Sequence, residues 1–161
     1  MAMDTTLRVL QIVPGTSVDG PGLRTSIYLA GCKHHCPGCH NPLSWDFNAG
    51  TQMNVEEIAN IVISHGFNVT LTGGDPLQNP NLPGILHLVK LLKAEGLKVW
   101  CYTGYTYEEL AAIDALQPII SEFEAIVEGP FIAAERDTNL RFRGSRNQRI
   151  VQPDGSPYPL P

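Results

Sequence analysis

The chain has 161 residues, a length that fits one domain, 1–161, with a buried core. Apolar residues make up 43% and the formal net charge is −5, which argues for an ordinary globular protein and against a general nucleic-acid binder. No apolar run is long enough to span a bilayer, so no membrane role is expected. Residues 1–6 show no basic stretch followed by an apolar one, so the expected compartment is the cytoplasm.

Residues 25–30 are rich in β-formers and follow the turn-rich Asp19-Gly-Pro-Gly22, which predicts a first strand. The segment Gly31-Cys-Lys-His-His-Cys-Pro-Gly-Cys-His-Asn-Pro42 comes directly after it. A helix is then marked by Asn54 as cap, with Glu57 completing a capping-box pattern. Val55, Ile58, Ala59 and Val62 form its apolar stripe, and Gly66 is placed to end it. Residues 68–71 read as a second strand running into Thr72-Gly-Gly-Asp-Pro76. Ile85, Leu88, Val89 and Leu92 give a second helical stripe ended at Gly96. Residues 97–102 form a third expected strand, closed by Thr103-Gly104. Thr106 and Glu109 open a third helix through Leu110 and Ile113, and residues 125–128 form a fourth strand before Gly129-Pro130.

Strands alternating with helices imply an α/β fold with a mainly parallel sheet. About four units are too few for a closed eight-fold barrel, which takes about 250 residues, so a partial barrel or an open sheet is expected. In both, ligands gather at the carboxyl ends of the strands. The cysteine segment, the Gly73-Gly74-Asp75 turn and Thr103-Gly104 each follow a strand and so converge on one edge.

Cys32, Cys36 and Cys39 are spaced C-x3-C-x2-C, and Cys101 is remote. Thiols gathered in one loop suit a soft-donor centre, either zinc or an iron–sulfur cluster. Three cysteines leave one iron of a cubane without a protein ligand, a vacancy at which a substrate can coordinate. The competing reading is a structural Cys3His zinc site, with His34, His35 or His40 as fourth ligand. Cys101, in an apolar strand beside Trp100, is read as a packing residue.

The two glycines of Thr72-Gly-Gly-Asp-Pro76 let the backbone approach a ligand and bind the ammonium or carboxylate of an amino acid, with Asp75 adding charge. The bland reading is a tight turn stopped by Pro76. Five arginines, Arg136, Arg141, Arg143, Arg146 and Arg149, lie in residues 136–149 of this acidic chain. They suit a carboxylate, a phosphate or an acidic partner surface, or form a solvated, salt-bridged face. His65 and His87 are read as structural or surface residues.

The C-x3-C-x2-C loop after a first strand and a Gly-Gly-Asp-Pro loop after the second resemble the radical S-adenosylmethionine superfamily. Asp19-Gly-Pro-Gly-Leu-Arg24, Gly31-Cys32, Cys39-His-Asn-Pro42, Tyr102-Thr-Gly-Tyr105, Val127-Glu-Gly-Pro-Phe131 and Arg143-Gly-Ser-Arg-Asn-Gln-Arg149 are similar to the activases of anaerobic ribonucleotide reductase, over residues 8–152. Two positions depart from the superfamily pattern: Gly38 stands where an aromatic usually precedes the third cysteine, and Asp75 replaces the usual glutamate. The resemblance implies a single radical S-adenosylmethionine domain built as a partial (β/α) barrel. It implies one [4Fe-4S] cluster on Cys32, Cys36 and Cys39, and S-adenosyl-L-methionine bordered by Gly38, Cys39, His40, Gly73, Gly74, Asp75 and Thr103. It implies reductive cleavage of that cofactor to a 5′-deoxyadenosyl radical, which takes a hydrogen from a backbone glycine of the reductase. No catalytic residue beyond the cluster is implied. The implied partners are the large subunit of anaerobic ribonucleotide reductase and reduced flavodoxin or a similar electron donor. The alternatives are an activase of another glycyl-radical enzyme or, in a different class, a zinc-stabilised binding module without chemistry.

Overall fold

The computed structural model of the chain describes residues 5–39 and 42–160. The four expected strands form as β2 (Arg24–Leu29), β4 (Asn68–Gly73), β5 (Val99–Tyr102) and β6 (Ala125–Glu128). They lie side by side and all parallel, with Ser26 opposite Thr70, Thr70 opposite Trp100, and Trp100 opposite Ala125. Three further strands extend this centre. β1 (Thr6–Thr16) pairs antiparallel with β2, β3 (Thr51–Asn54) antiparallel with β1, and β7 (Arg149–Val151) antiparallel with β6. The order is β3-β1-β2-β4-β5-β6-β7, so five strands point one way and only β1 and β7 run against them. The sheet is open, with β3 and β7 as its edges, and no closed barrel forms.

The helices follow their sequence signals with local differences. In α1 (Val55–His65) Asn54 accepts from the Glu56 amide at 2.9 Å, one residue short of the partner expected for a box with Glu57. Gly66 ends it with φ 75°, the left-handed conformation that a Cβ disfavours. α2 (Leu82–Ala94) carries the stripe Ile85, Leu88, Val89 and Leu92, all fully buried. The capping box of α3 (Tyr107–Ala111) closes in both directions, Glu109 N to Thr106 Oγ1 at 3.2 Å and Thr106 N to Glu109 Oε1 at 3.0 Å. It ends before Ile113, where the Gln117 side chain donates to the carbonyls of Leu110 and Ile113. A single turn, α4 (Gln117–Ile120), leads to β6.

One core packs α1 and α2 against Ile27, Leu29, Val69, Leu71 and Cys101. Each fully buried leucine or isoleucine there contributes about 1.5–3 kcal/mol. Alternation along β5 sends Val99 and Cys101 to this core and Trp100 to the other face. There Trp100 meets Phe142 and Tyr158 edge-on, at 5.7 and 5.2 Å. Cys101 is therefore a core residue, and its burial pushes the thiol well up in pKa. Among the described residues no helix is long and apolar enough to cross a membrane.

Candidate functional site

The cysteine segment leaves β2 at Gly31, whose φ is 107° and whose Cβ would collide with the Phe47 ring. Backbone bonds then tie the start of the loop to the turn that follows it, Gly31 N to Ser44 O at 2.7 Å and Cys32 N to Trp45 O at 3.2 Å, and close a turn within it, Cys39 N to Cys36 O at 3.0 Å. His35 has φ 48°, and its ring stacks on Trp45 at 4.5 Å. Lys33 N donates to Gln78 Oε1 at 2.5 Å. Cys32, Cys36 and Cys39 are free thiols of intermediate exposure, and burial pushes the Cys32 thiol up.

These three cysteines line a cavity of about 620 Å³ together with Gly73, Gly74, Thr103, Gly104 and Gly129. Each of those residues lies at or just beyond the carboxyl end of β4, β5 or β6. The three sequence features thus converge on one edge of the sheet, as expected for parallel α/β topology.

The glycines of the β4 turn are required for a reason other than ligand access alone. A Cβ on Gly73 would strike the backbone of Leu29, and one on Gly74 would strike the backbone of Gly31. The glycines let β4 and its turn lie directly against β2 and the start of the cysteine loop. The amides of Gly74 and Asp75 are already donated, to Leu29 O at 2.8 Å and to Gly31 O at 2.7 Å. A ligand therefore meets this turn without those two amides.

Asp75, expected among the cofactor-binding residues, is turned away from the cavity. It is 2% exposed and does not line the space. Its Oδ1 accepts from Leu77 N, and its Oδ2 accepts from His34 Nε2, Thr103 Oγ1 and Gly104 N. The cause is the short acid on a turn whose next element, the 3₁₀ turn Pro76–Gln78, takes Asp75 as its cap. Gly38, with φ 78°, also lies off the cavity wall, against Ala133 and Phe131. Cys39 lines the cavity, while His40 lies outside the described residues.

Several lining residues carried no role in the sequence reading. Asp19 reaches in from the β1–β2 turn, with Oδ2 accepting from Ser26 Oγ at 2.7 Å and Tyr28 Oη at 3.3 Å. Tyr102 donates its hydroxyl to Phe142 O at 2.6 Å, and burial pushes that phenol far up, so it remains a neutral donor. Phe131, Leu140 and Phe142 supply an apolar wall. The signals were present in the motifs around Asp19, Tyr102, Phe131 and Arg143, but spacing alone does not say which of their side chains turn inward.

The arginine segment does not act as one surface. Arg149 is bound to Glu128 at 2.7 Å and to Glu108 at 3.0 Å, and those hydrogen bonds hold its guanidinium pKa above the usual value. Arg143 lines the cavity and donates to Gln148 O at 3.0 Å. The Arg141 guanidinium lies 5.0 Å from the Phe142 ring, and Arg136 and Arg146 are exposed. His65 shares a hydrogen bond with Thr25, and His87 one with Glu56, which makes both structural.

The donor set, three thiols of one loop gathered at the cavity, suits a soft-donor centre. Two of the histidines considered as fourth zinc ligands are otherwise engaged, His34 with Asp75 and His35 against Trp45.

An open α/β sheet with a three-cysteine loop over its carboxyl edge suits a soft-donor centre, and residues 18–151 match the family described as 4Fe-4S single cluster domain. The anaerobic ribonucleoside-triphosphate reductase-activating protein of Salmonella typhi is 37% identical over 152 residues, 89% of this chain and 97% of that protein. Its counterparts in Escherichia coli K12 (37% over 148 residues, 87% and 95% of the chains) and in Enterobacteria phage T4 (34% over 146 residues, 87% and 90%) agree. A crystal structure of QueE from Escherichia coli shares the fold, with a TM-score of 0.52 and 20% identity, covering 64% of this chain and 54% of that one. The chain belongs to the family of anaerobic ribonucleoside-triphosphate reductase-activating proteins.

Proposed function

We propose that the chain is an iron–sulfur activase that cleaves S-adenosyl-L-methionine reductively and installs a glycyl radical on the large subunit of anaerobic ribonucleotide reductase. The observation that carries this reading is the meeting of Cys32, Cys36 and Cys39 with Gly73, Gly74 and Thr103 around one cavity of about 620 Å³. That volume is in the range of small-molecule sites. Cys32, Cys36 and Cys39 hold the [4Fe-4S] cluster as thiolates. When bound, the cluster would supply the electron for reductive cleavage of the cofactor, and the three cysteines would leave one iron open to it.

The chain's own residues bind, orient and exclude water. The turn at Gly73 and Gly74 borders the methionine end, with Cys39 on one side and Thr103 on the other. Phe131, Leu140 and Phe142 keep water from the reacting centre, where solvent would quench a carbon radical. The cavity mouth admits the reductase's glycine-bearing segment, which completes the enclosure.

The same reading makes residues 1–161 one radical S-adenosylmethionine domain and takes the open sheet as its partial (β/α) barrel, supported by the likeness to the QueE fold. It takes reduced flavodoxin or a similar one-electron donor as the source of electrons. It places the protein in the cytoplasm, supported by four free cysteines.

The test is anaerobic. Reconstituted protein carries about four irons per chain, and the dithionite-reduced protein cleaves S-adenosyl-L-methionine slowly alone. Mixed with the reductase, it produces a doublet in electron paramagnetic resonance that disappears when the reductase's C-terminal glycine is replaced by alanine. Robust cleavage with no radical on that reductase, but one on another glycyl-radical enzyme, reassigns the partner. A colourless protein holding zinc ends the proposal.

A further inference from the structure

One buried carboxylate joins three of the loops around the cavity. Asp75 follows β4, His34 lies in the cysteine loop, and Thr103 and Gly104 follow β5. Asp75 Oδ2 accepts from His34 Nε2 at 2.7 Å, Thr103 Oγ1 at 2.8 Å and Gly104 N at 2.9 Å, while Oδ1 accepts from Leu77 N at 3.0 Å. A carboxylate has about four acceptor sites; three of these donors crowd Oδ2 and one takes Oδ1, and at 2% exposure the acid presents no face to the cavity.

The His34 ring is held from other sides as well. Tyr105 meets it edge-on at 4.8 Å, and a Cβ on Gly104 would stand 2.6 Å from His34 Cδ2. The absence of a side chain at 104 is what lets the imidazole reach Asp75. Behind it, the Asp75 amide donates to Gly31 O at 2.7 Å, at the start of the same loop. The cysteine loop is thus fastened to Asp75 twice, through the backbone at Gly31 and through the His34 side chain between Cys32 and Cys36.

We propose that Asp75 is a positioning residue that acts through His34, which itself lines the cavity: the Asp75 carboxylate, through His34, Thr103 and Gly104, fixes the cysteine loop over the ends of β4 and β5 and contacts neither cluster nor cofactor. The proposal rests on the reading of this loop as the cluster site and deepens it. A loop ordered in advance leaves less conformational entropy to be lost when the cluster binds. Partners that orient metal ligands typically change metal affinity or activity about 10–100-fold when removed.

The charge and geometry predict which substitutions matter. Both oxygens of Asp75 receive a backbone N–H, from Leu77 and from Gly104. Asp75→Asn must therefore set its amide nitrogen against one of them in either orientation. His34→Leu removes the donor, whereas His34→Gln keeps a side-chain N–H for Asp75.

The experiment uses reconstituted holoprotein: the parent, H34L, H34Q and D75N. Two quantities are read: the rate of iron loss to a chelator, and calorimetric affinity for S-adenosyl-L-methionine and for its analogue lacking the α-amino group. H34L and D75N lose iron about 10-fold faster or more, while H34Q stays within about 3-fold of the parent. Both ligands weaken together, so the ratio of their affinities keeps its parent value. A ratio that collapses in D75N alone would mean that Asp75 contacts the ammonium, and iron loss at the parent rate in H34L would mean that the tie does not position the loop; either overturns the proposal. If the parent binds neither ligand while the iron-loss order holds, the cofactor reading falls and the positioning role stands. If D75N does not fold, the H34L and H34Q pair decides, because His34 is partly exposed and outside the core.

Discussion

Asp75 and Glu128 are both buried acids at the carboxyl ends of parallel strands, 2% and 1% exposed, yet they are satisfied in different ways. Asp75 takes two backbone amides, a hydroxyl and an imidazole, all from loops around the cavity. Glu128 takes a guanidinium, Arg149 Nε at 2.7 Å, and the Tyr107 amide, from β7 and the first turn of α3. The Glu128 pair closes across the β6–β7 ladder, where the two residues stand directly opposite. The first acid joins loops around a site; the second fastens the edge strand to the sheet. A buried carboxylate at a strand end is therefore not by itself a ligand-binding signal, and what its donors belong to decides its role.

The largest break in the site half comes from the ligands themselves. Cys32→Ala, Cys36→Ala or Cys39→Ala each prevents a stable cluster, read as loss of iron and visible absorption after anaerobic reconstitution. Cys101→Ala keeps the cluster, because that thiol is packed in the core, and costs about 1 kcal/mol of stability. Equal loss of iron in the Cys101 variant would overturn the assignment of ligands.

Next in size is the structural half. Glu128→Gln keeps the volume but sets an amide nitrogen against Arg149 or against the Tyr107 amide, since both oxygens of Glu128 receive donors. The expected cost is about 1–3 kcal/mol in chemical denaturation. Iron retention stays at the parent value, in contrast to His34→Leu. A Glu128 variant that sheds iron as quickly as the His34 variant would erase the distinction between the two acids.

Much of this architecture is legible in the sequence, and the illegible part has physical causes. The four parallel strands and both long helices announce themselves through β-formers, period-3.6 stripes and glycine stops. β1 carries a burial alternation only at its start, Leu7 and Val9; a register shift against β2 follows between Val9 and Gln11, Gln11 is exposed, and Pro14 and Gly15 come before its end, so no sustained period marks the whole strand. β7 is three residues long and held by Arg149, which in the sequence reads as one of five loose charges. At the site, the cysteine spacing locates the loop, but no pattern says that Asp75 would turn inward to meet His34. That contact joins residues 41 apart and depends on Gly104 having no side chain.

The smallest expected effect lies at the outer end of the Glu128 network. Glu108 is fully exposed, and its carboxyl is held below the usual range, first by a backbone hydrogen bond in the first turn of α3 and then by Arg149. A folded-state pKa lowered in this way contributes stability that is present above the unfolded carboxyl pKa and lost as pH falls through the folded value. Glu108→Gln should therefore lower the thermal midpoint slightly near neutral pH and make no difference once the medium is acid enough to protonate the parent's Glu108. Solvent screening keeps the loss small, and added salt should shrink it further. The Glu128→Gln loss persists in high salt, because it arises from a buried mismatch of donors and not from exposed charge. Thermal melts of both variants at neutral and acid pH, with and without salt, check this. A Glu108 effect as large and as salt-resistant as that of Glu128 would show that Arg149 is held chiefly from the solvent side, and that the buried acid is the passive member of the network.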